Sequence, residues 1–440
     1  MVAVLASERA SMKTLNGVKG FHDVVPPQSE RFTEIEGRLR AVLAAYNYGE
    51  IRTPIAERTE LFARSLGETT DIVEKEMYSF DDRDGTSLTL RPEGTAAVVR
   101  AAIEAGLAQR DQVAELYYLG PMFRRERPQR GRSRQFHQVG AELIGRDDAL
   151  ADAEVVMLLV DCLQAAGLEE SELILNSLGD ETCRPAYRAA LAAYGRAHVD
   201  ELCGNCRQRL ERNPLRLLDC KEEGCHRVMA DAPLVTSHLC EPCRTHFAEV
   251  ERLLHAAEVS FRVNPRLVRG LDYYGRTAFE VVAANLGAQN AVGGGGRYDG
   301  LVSALGGPPL PGIGFAIGLE RLLMATAGSA PDSHPEVDVI PLSTAASAVA
   351  VRLTRRLRAL GMRCELEAAG RSLKSAMRRA DKLAARFAIL IGEDELRAGR
   401  ATVRDLQRQA DHRLALAVDD PGPVLVATLR TLAATGGQGG

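Results

Sequence analysis

At 440 residues, with 45% hydrophobic and 26% charged residues, the chain is too long for one core and ordinary in composition, so two or three globular domains are expected. It contains no apolar run of about 18 residues, so no membrane-spanning helix is expected. The opening MVAVLASERASMKTLNG lacks both the basic head and the apolar stretch of a secretory signal, which makes the cytoplasm the expected compartment. The net charge of -4 hides an asymmetry: Val351 to Asp420 carries 16 Lys and Arg against 10 Asp and Glu, so the C-terminal part is the expected contact for a polyanion.

Residues 1–15 read as a loose leader, with Met12 an alternative start. A turn-rich entry, Lys19 to Pro26, leads into a helix over about Ser29–Tyr46, where Phe32, Ile35, Leu39, Val42 and Leu43 recur at helical spacing. Glu50 to Ile55 reads as a short strand, and Pro54 confines it to a sheet edge or an interface. Ser87 to Thr95 predicts a strand, a tight turn and then a helix over Ala96–Ala105. On residue chemistry alone, Glu93 or Thr95 caps that helix.

The stretch from Leu116 to Ile144 is an apolar run, an arginine-crowded loop and a second strand-like run. Arg124, Arg125, Arg127, Arg130, Arg132 and Arg134 fall within eleven residues, broken by Pro128 and Gly131. A period of two places Phe136, Gln138, Gly140 and Glu142 on one face of the second strand and His137, Val139, Ala141 and Leu143 on the other. The second face is core-like; the first reads as a polar floor with room above Gly140, suited to a ligand amine. A buried Glu142 would need a cation that its sequence neighbours do not supply. A solvated basic hairpin tip is the plainer reading, but Arg124-x-Glu126 and Arg132-x-x-x-Phe136 close and open the two strands. Two guanidiniums, a carboxylate and an aromatic ring then meet at one hairpin mouth, the parts needed to hold phosphates, an exocyclic amine and a purine. This describes an ATP site.

A helix follows from about Ala151 to Ala166, then a strand at Leu173–Leu178 and a charged, mostly helical insertion over 181–257. The insertion contains Cys203-x-x-Cys206 and Cys240-x-x-Cys243, which bracket Cys220 and Cys225-His226. The CxxC pairs make Cys203, Cys206, Cys240 and Cys243 the best set for one structural Zn2+, with Cys225 or His226 as a substitute ligand; ordinary reduced cysteines are the other reading. Gly293 to Gly296 reads as a glycine-rich turn, and Pro311 to Leu322 as a strand feeding a helix. After a linker at Thr326–Pro335, strands at 337–341, 363–366, 387–391 and 414–418 alternate with helices at 345–360 and 372–384. That pattern predicts a small α/β domain whose helix Arg371–Lys382 is basic; GGQGG ends a flexible tail over 431–440.

Several of these blocks carry a family resemblance. The arginine hairpin resembles motif 2 of the class II aminoacyl-tRNA synthetases, Pro311 to Leu322 resembles motif 3, and the helix and proline strand at 29–55 resemble motif 1. Arg91 to Thr95 matches an RPEGT segment. Leu267-Val268-Arg269-Gly270-Leu271-Asp272-Tyr273-Tyr274, continuing through Arg276 to Val281, resembles the signature of the histidyl-tRNA synthetases, departing from it at Gly275. GRSLK, ADK and IGEDEL resemble the class IIa anticodon-binding domain, with a departure at Val403–Gln409, where a Thr-Gly-Glu turn is usual.

The resemblance implies an α+β catalytic domain at 16–330, an antiparallel sheet with helices, carrying the helical insertion. An α/β anticodon-binding domain at 331–430 and a homodimer follow from it too. It also implies an activity, ligation of L-histidine to histidine tRNA through a histidyl-adenylate, using ATP with Mg2+. Arg124 and Arg269 would act on the phosphates and also bind the histidine, Arg269 at its carboxylate. Glu93, Thr95, Gln138 and Glu142 would hold the histidine amine; Tyr273, Tyr274 or Tyr298 would bond or pack on imidazole. Phe136 and Glu126 would hold adenine, Arg321 and Arg132 the outer phosphates, and Gln129 would touch the tRNA acceptor end. A synthetase-like regulatory or tRNA-sensing paralogue, such as a regulatory subunit of ATP phosphoribosyltransferase, is the alternative. Such a paralogue lacks the anticodon domain and erodes the arginines, all four of which stand here.

Overall fold

The computed structural model describes residues 15–67, 70, 72–127, 131–271, 273–287, 290–326, 328, 333–415 and 422–434. The chain forms two compact units, Met1–Ser329 and Ala330–Gly440. Most of the leader, the loop tip with Gln129, and residues 435–440 of the tail lie outside the described residues.

The first unit opens with α1 (Gln28–Ala45), which buries Phe32, Ile35, Leu39 and Leu43, the stripe its spacing predicts. The proline strand shrinks to β1 (Gly49–Glu50), because the backbone before Pro54 leaves the ladder. Next come β2 (Ala56–Arg58), α2 (Thr59–Leu66), β3 (Tyr78–Asp81), β4 (Ser87–Leu90) and α3 (Thr95–Glu104), the strands pairing as a small sheet in the order β2-β4-β3. Strands β5 (Ala114–Phe123) and β6 (Gln135–Ile144) pair antiparallel over their full length. Helix α4 (Ala149–Ala165) is capped by Asp148, whose Oδ1 accepts the Ala151 N–H at 2.9 Å.

After β7 (Ser171–Ser177) the insertion supplies α5 (Arg184–Ala197), α6 (Gly204–Arg212), α7 (Glu223–Met229) and α8 (Glu241–Ala256). The chain re-enters the sheet through β8 (Arg262–Val263), β9 (Gly275–Ala283) and β10 (Ala291–Arg297), then α9 (Leu301–Ala304), β11 (Gly312–Gly318) and α10 (Leu319–Ala325). The eight-stranded sheet has the order β1-β5-β6-β11-β10-β9-β7-β8, antiparallel except at its two edge pairs. Val139, Ala141 and Leu143 on one face of β6 join α1, α4 and α8 in the main core, so the other face is left to form a site.

The Gly293–Gly296 run is a central strand rather than a turn. A Cβ on Gly295 would lie 1.9 Å from the Gly314 carbonyl oxygen, and one on Gly294 2.6 Å from that of Phe279. The glycines serve close strand approach, which a reading of glycine as chain punctuation cannot detect.

The second unit is a five-stranded mixed sheet, β13-β12-β14-β15-β16, formed by β12 (Val337–Pro341), α11 (Ser347–Ala359), β13 (Cys364–Leu366), α12 (Leu373–Lys382), β14 (Phe387–Ile391), α13 (Glu393–Ala398), β15 (Arg400–Asp405), β16 (Ala410–Ala415) and α14 (Gly422–Ala434). Two expectations change here. Of the strand placed at 414–418, Leu414 and Ala415 end β16, which pairs with β15 in a hairpin turning at Gln409 with φ 54° and tied by Arg404 to Asp411 at 2.6 Å, while 416–418 lie outside the described residues. The tail does not begin at 431, because α14 runs to Ala434 and buries Leu425, Val426 and Leu429 in this unit's core.

Candidate functional site

The polar face of β6 forms one wall of a cavity of about 460 Å³. Glu93, Thr95, Arg124, Glu126, Arg132, Phe136, Gln138, Arg269, Tyr273, Tyr274 and Arg321 all line it, from segments spread over more than two hundred residues of sequence. The cationic part is held by braces. Arg124 donates from Nε to the Pro92 carbonyl at 2.8 Å and lies 5.3 Å from the centre of the Phe136 ring. Arg132 donates from Nη1 to Glu126 Oε2 at 2.5 Å, so Glu126 positions an arginine as well as facing the cavity. Arg321, on α10, donates to the carbonyls of Ala291 at 2.8 Å and Gly131 at 3.3 Å. Burial, and then the neighbouring Arg132 charge, depress its pKa; such a pair of cations is completed by an anion.

Arg269 forms an ion pair with Glu280, and its Nε is buried without a hydrogen-bond partner. Burial opposes its charge, but the Glu280 carboxylate and the adjacent tyrosines more than compensate and raise its pKa. Gln138 Oε1 is likewise buried and unpartnered. Both residues line the cavity, so these two atoms are donor and acceptor capacity close to it.

Glu93 meets both of its sequence readings. Its two oxygens accept the backbone N–H groups of Thr95 at 2.7 Å and Ala96 at 2.9 Å, which caps α3, and the residue also lines the cavity. Burial pushes its pKa up, against those hydrogen bonds.

Two expectations on the floor need correction. The room above Gly140 is filled: a Cβ there would lie 2.4 Å from the ring of Tyr118, its partner across the strands. Among the described residues no cation pairs with Glu142. Fully buried behind the lining, it accepts from Thr95 Oγ1 at 2.7 Å and Tyr298 Oη at 2.6 Å, and burial raises its pKa to about 8. Tyr298 is also behind the wall, with its ring 5.9 Å from that of Tyr273. Lining residues that sequence reasoning missed include Tyr118, Glu280 and Glu320. Glu320 accepts the His137 N–H at 2.9 Å and meets His137 Nδ1 at 3.0 Å. The register was the available signal for Tyr118, since an aromatic residue opposite a strand glycine covers it.

Arg297, next to Tyr298, is structural. Fully buried, it pairs with buried Asp152, which also accepts from His246 Nε2 at 2.7 Å and Thr277 Oγ1 at 2.5 Å.

The cysteines do not gather as predicted. Cys203 and Cys206 are grouped with Cys220 and Cys225, whereas Cys240 and Cys243 are grouped with Asp180 and Cys183. The two CxxC pairs sit at the starts of different helices, α6 and α8, and each finds its other ligand candidates nearer than the second pair; His226 belongs to neither group.

Residues 20–322 match the family model described as histidyl-tRNA synthetase, and residues 336–418 that of an anticodon binding domain. The chain belongs to the histidyl-tRNA synthetase family. A histidine–tRNA ligase of Syntrophotalea carbinolica is 50% identical over 404 residues, covering 92% of this chain and 96% of that protein. Among solved structures, the apo histidyl-tRNA synthetase of S. aureus has a TM-score of 0.77 at 34% identity, over 95% of this chain and 99% of that one. A Bacillus halodurans protein titled ATP phosphoribosyltransferase regulatory subunit/histidyl-tRNA synthetase, at 23% identity and TM-score 0.63 over 85% of this chain and 97% of that one, shares the fold. The family match agrees with a cavity lined by arginines together with carboxylates, an amide and tyrosines.

Proposed function

We propose that this cavity activates L-histidine with ATP and that the chain then transfers the histidyl group to the terminal ribose of histidine tRNA, releasing AMP and diphosphate. The observation that carries this reading is the convergence of Arg124, Arg132, Arg269 and Arg321 on the same space as Glu93, Thr95, Gln138, Tyr273 and Tyr274. The arginines match the phosphates and the second group matches a zwitterion with a polar ring. A regulatory role would not need the arginines braced as they are.

Histidine's carboxylate is already an anion at neutral pH, so activation needs no enzyme base. Catalysis is then alignment for in-line attack on the α-phosphorus, with positive charge fixed in place beforehand. Arg269 supplies that charge from one side and Arg124 from the other, where it also lies against Phe136, the stacking surface for adenine. Arg132 and Arg321 receive the outer phosphates. Gln138 and the rim of Glu93 and Thr95 hold the histidine amine, Tyr273 and Tyr274 face the imidazole, and Glu142 acts through the Thr95 and Tyr298 hydroxyls it receives.

Mg2+ comes with ATP and adds charge to its phosphates. Hard oxygen donors suit it, and of the carboxylates lining the cavity Glu280 and Glu320, which here meet Arg269 and the His137 N–H, would hold it. The second unit contributes tRNA contact through α12. Arg371, just before that helix, and Arg379 within it are each tied to Glu367 at 3.0 Å, which leaves Lys374, Arg378 and Lys382 exposed for a polyanion. A homodimer completes the reading, as the resemblance of residues 29–55 to motif 1 implies.

The test is ligation itself. Purified chain, ATP, Mg2+, labelled histidine and histidine tRNA should give label on the tRNA 3′ end; absence of label with tRNA that another histidine–tRNA ligase can charge would reject the proposal.

A further inference from the structure

The insertion has a weak core of its own. Five of its fifteen buried core residues are cysteines, and all nine cysteines of the chain are free thiols. A scaffold of this size with so much of its interior given to thiols needs another source of stability. The arrangement of the sulfurs suggests what that source is. In the first group, Cys203, Cys206, Cys220 and Cys225, all four sulfurs lie within 4.8 Å of one another, and Cys203 Sγ is 3.9 Å from Cys220 Sγ. A tetrahedral metal with metal–sulfur bonds of about 2.3 Å sets sulfur–sulfur edges of about 3.8 Å.

The backbone is arranged around thiolates. The Cys206 N–H donates to Cys203 Sγ at 3.4 Å and the Cys203 N–H to Cys225 Sγ at 3.1 Å. In the second group the ligand atoms of Asp180, Cys183, Cys240 and Cys243 also lie within 4.8 Å of one another. There the Asp180 N–H donates to Cys183 Sγ at 3.4 Å, and Asp180 Oδ1 accepts from Thr182 and Cys183, at 3.0 and 3.1 Å. Cys240 Sγ lies 3.8 Å from each of the two carboxylate oxygens. The turn before it is shaped to a sulfur: Gly179 has φ +68°, and a Cβ there would lie 2.6 Å from Cys183 Sγ.

We propose that the insertion holds two separate structural Zn2+ ions, one bound by Cys203, Cys206, Cys220 and Cys225 and the other by Asp180, Cys183, Cys240 and Cys243. Thiolate-rich, four-ligand sets select zinc and leave no open position for substrate, so neither ion takes part in the chemistry. Each instead ties the insertion to a wall of the cavity. Cys220 directly follows Leu218 and Asp219, which line the cavity, and Arg216 donates to the Gly270 carbonyl at 2.7 Å. Beside the second site, the Gly179 carbonyl accepts the Arg276 N–H at 2.8 Å, where β9 leaves Tyr274.

Metal analysis of the full chain, purified untagged and without chelator, should find two zinc ions per chain. Cys203→Ser/Cys206→Ser and Cys240→Ser/Cys243→Ser should each retain one. X-ray absorption at the zinc edge should report only sulfur neighbours in the second variant and a mixed sulfur and oxygen shell in the first. If either variant fails to fold, zinc release from the unmodified chain by a mercurial, followed with a chromogenic chelator, should still count two ions. A content of zero or one, iron in place of zinc, or loss of all zinc from either folded variant would overturn the proposal.

Discussion

Replacing Glu142 with Gln tests the electrostatics beneath the cavity floor. The carboxyl is fully buried, receives only two hydroxyl hydrogen bonds, and has its pKa raised from 4.5 to about 8 by burial. Between those values the folded state holds a proton that the unfolded chain releases, so this residue's contribution to stability is present below pH 4.5 and is lost as pH rises through 8. At roughly 1.4 kcal/mol per pH unit, the loss from pH 5.5 to 8 comes to about 3 kcal/mol. Gln is a neutral isostere of the protonated acid and has no proton to lose. Urea unfolding of both proteins, followed by circular dichroism because the chain has no tryptophan, should show Glu142→Gln gaining about 3 kcal/mol on wild type across that range. A difference that stays constant from pH 5.5 to 8 would refute the buried, protonated carboxyl.

Arg269→Ala should lower adenylate formation by on the order of 100–1000-fold while the chain stays folded, because it removes a fixed charge from the reacting phosphate; near-normal single-turnover rates would count against its role. Deleting residues from Pro335 onward should leave histidine activation largely intact and greatly weaken tRNA charging; loss of both in a soluble, folded product would contradict that division of labour. Arg297→Met leaves Asp152 buried without its main partner and should cost about 3–5 kcal/mol in a denaturant titration. Gly314→Ala should destabilise the sheet by about 1–3 kcal/mol or more, since the new methyl meets Glu142 at 1.9 Å and the Ala141 carbonyl at 2.5 Å; an unchanged midpoint would refute that packing.

What the sequence disclosed follows the range of each physical signal. Helical spacing placed α1, and the period of two in β6 correctly divided Val139, Ala141 and Leu143 from Gln138, because both are local consequences of one core. Arg124 and Arg132 were legible because they close and open the two hairpin strands beside Glu126 and Phe136, whereas Arg269 and Arg321 were legible only through the family resemblance. Neighbours that arrive from distant segments were not legible. Tyr118 fills the space over Gly140 only once the strands pair, and Glu280 meets Arg269 only across the folded cavity. The cysteine grouping failed for the same reason: CxxC spacing marks half of a metal site, while Asp180, Cys183 and Cys220 come from turns and loops and Cys225 from α7, whose placement depends on the whole insertion.

The most direct test of the central claim is exchange of labelled pyrophosphate into ATP by the purified chain, with each amino acid in turn. The account predicts exchange that requires histidine and Mg2+, needs no tRNA, and collapses in Arg269→Ala. Exchange supported equally by other amino acids, or none with histidine in a folded protein that binds ATP, would contradict it.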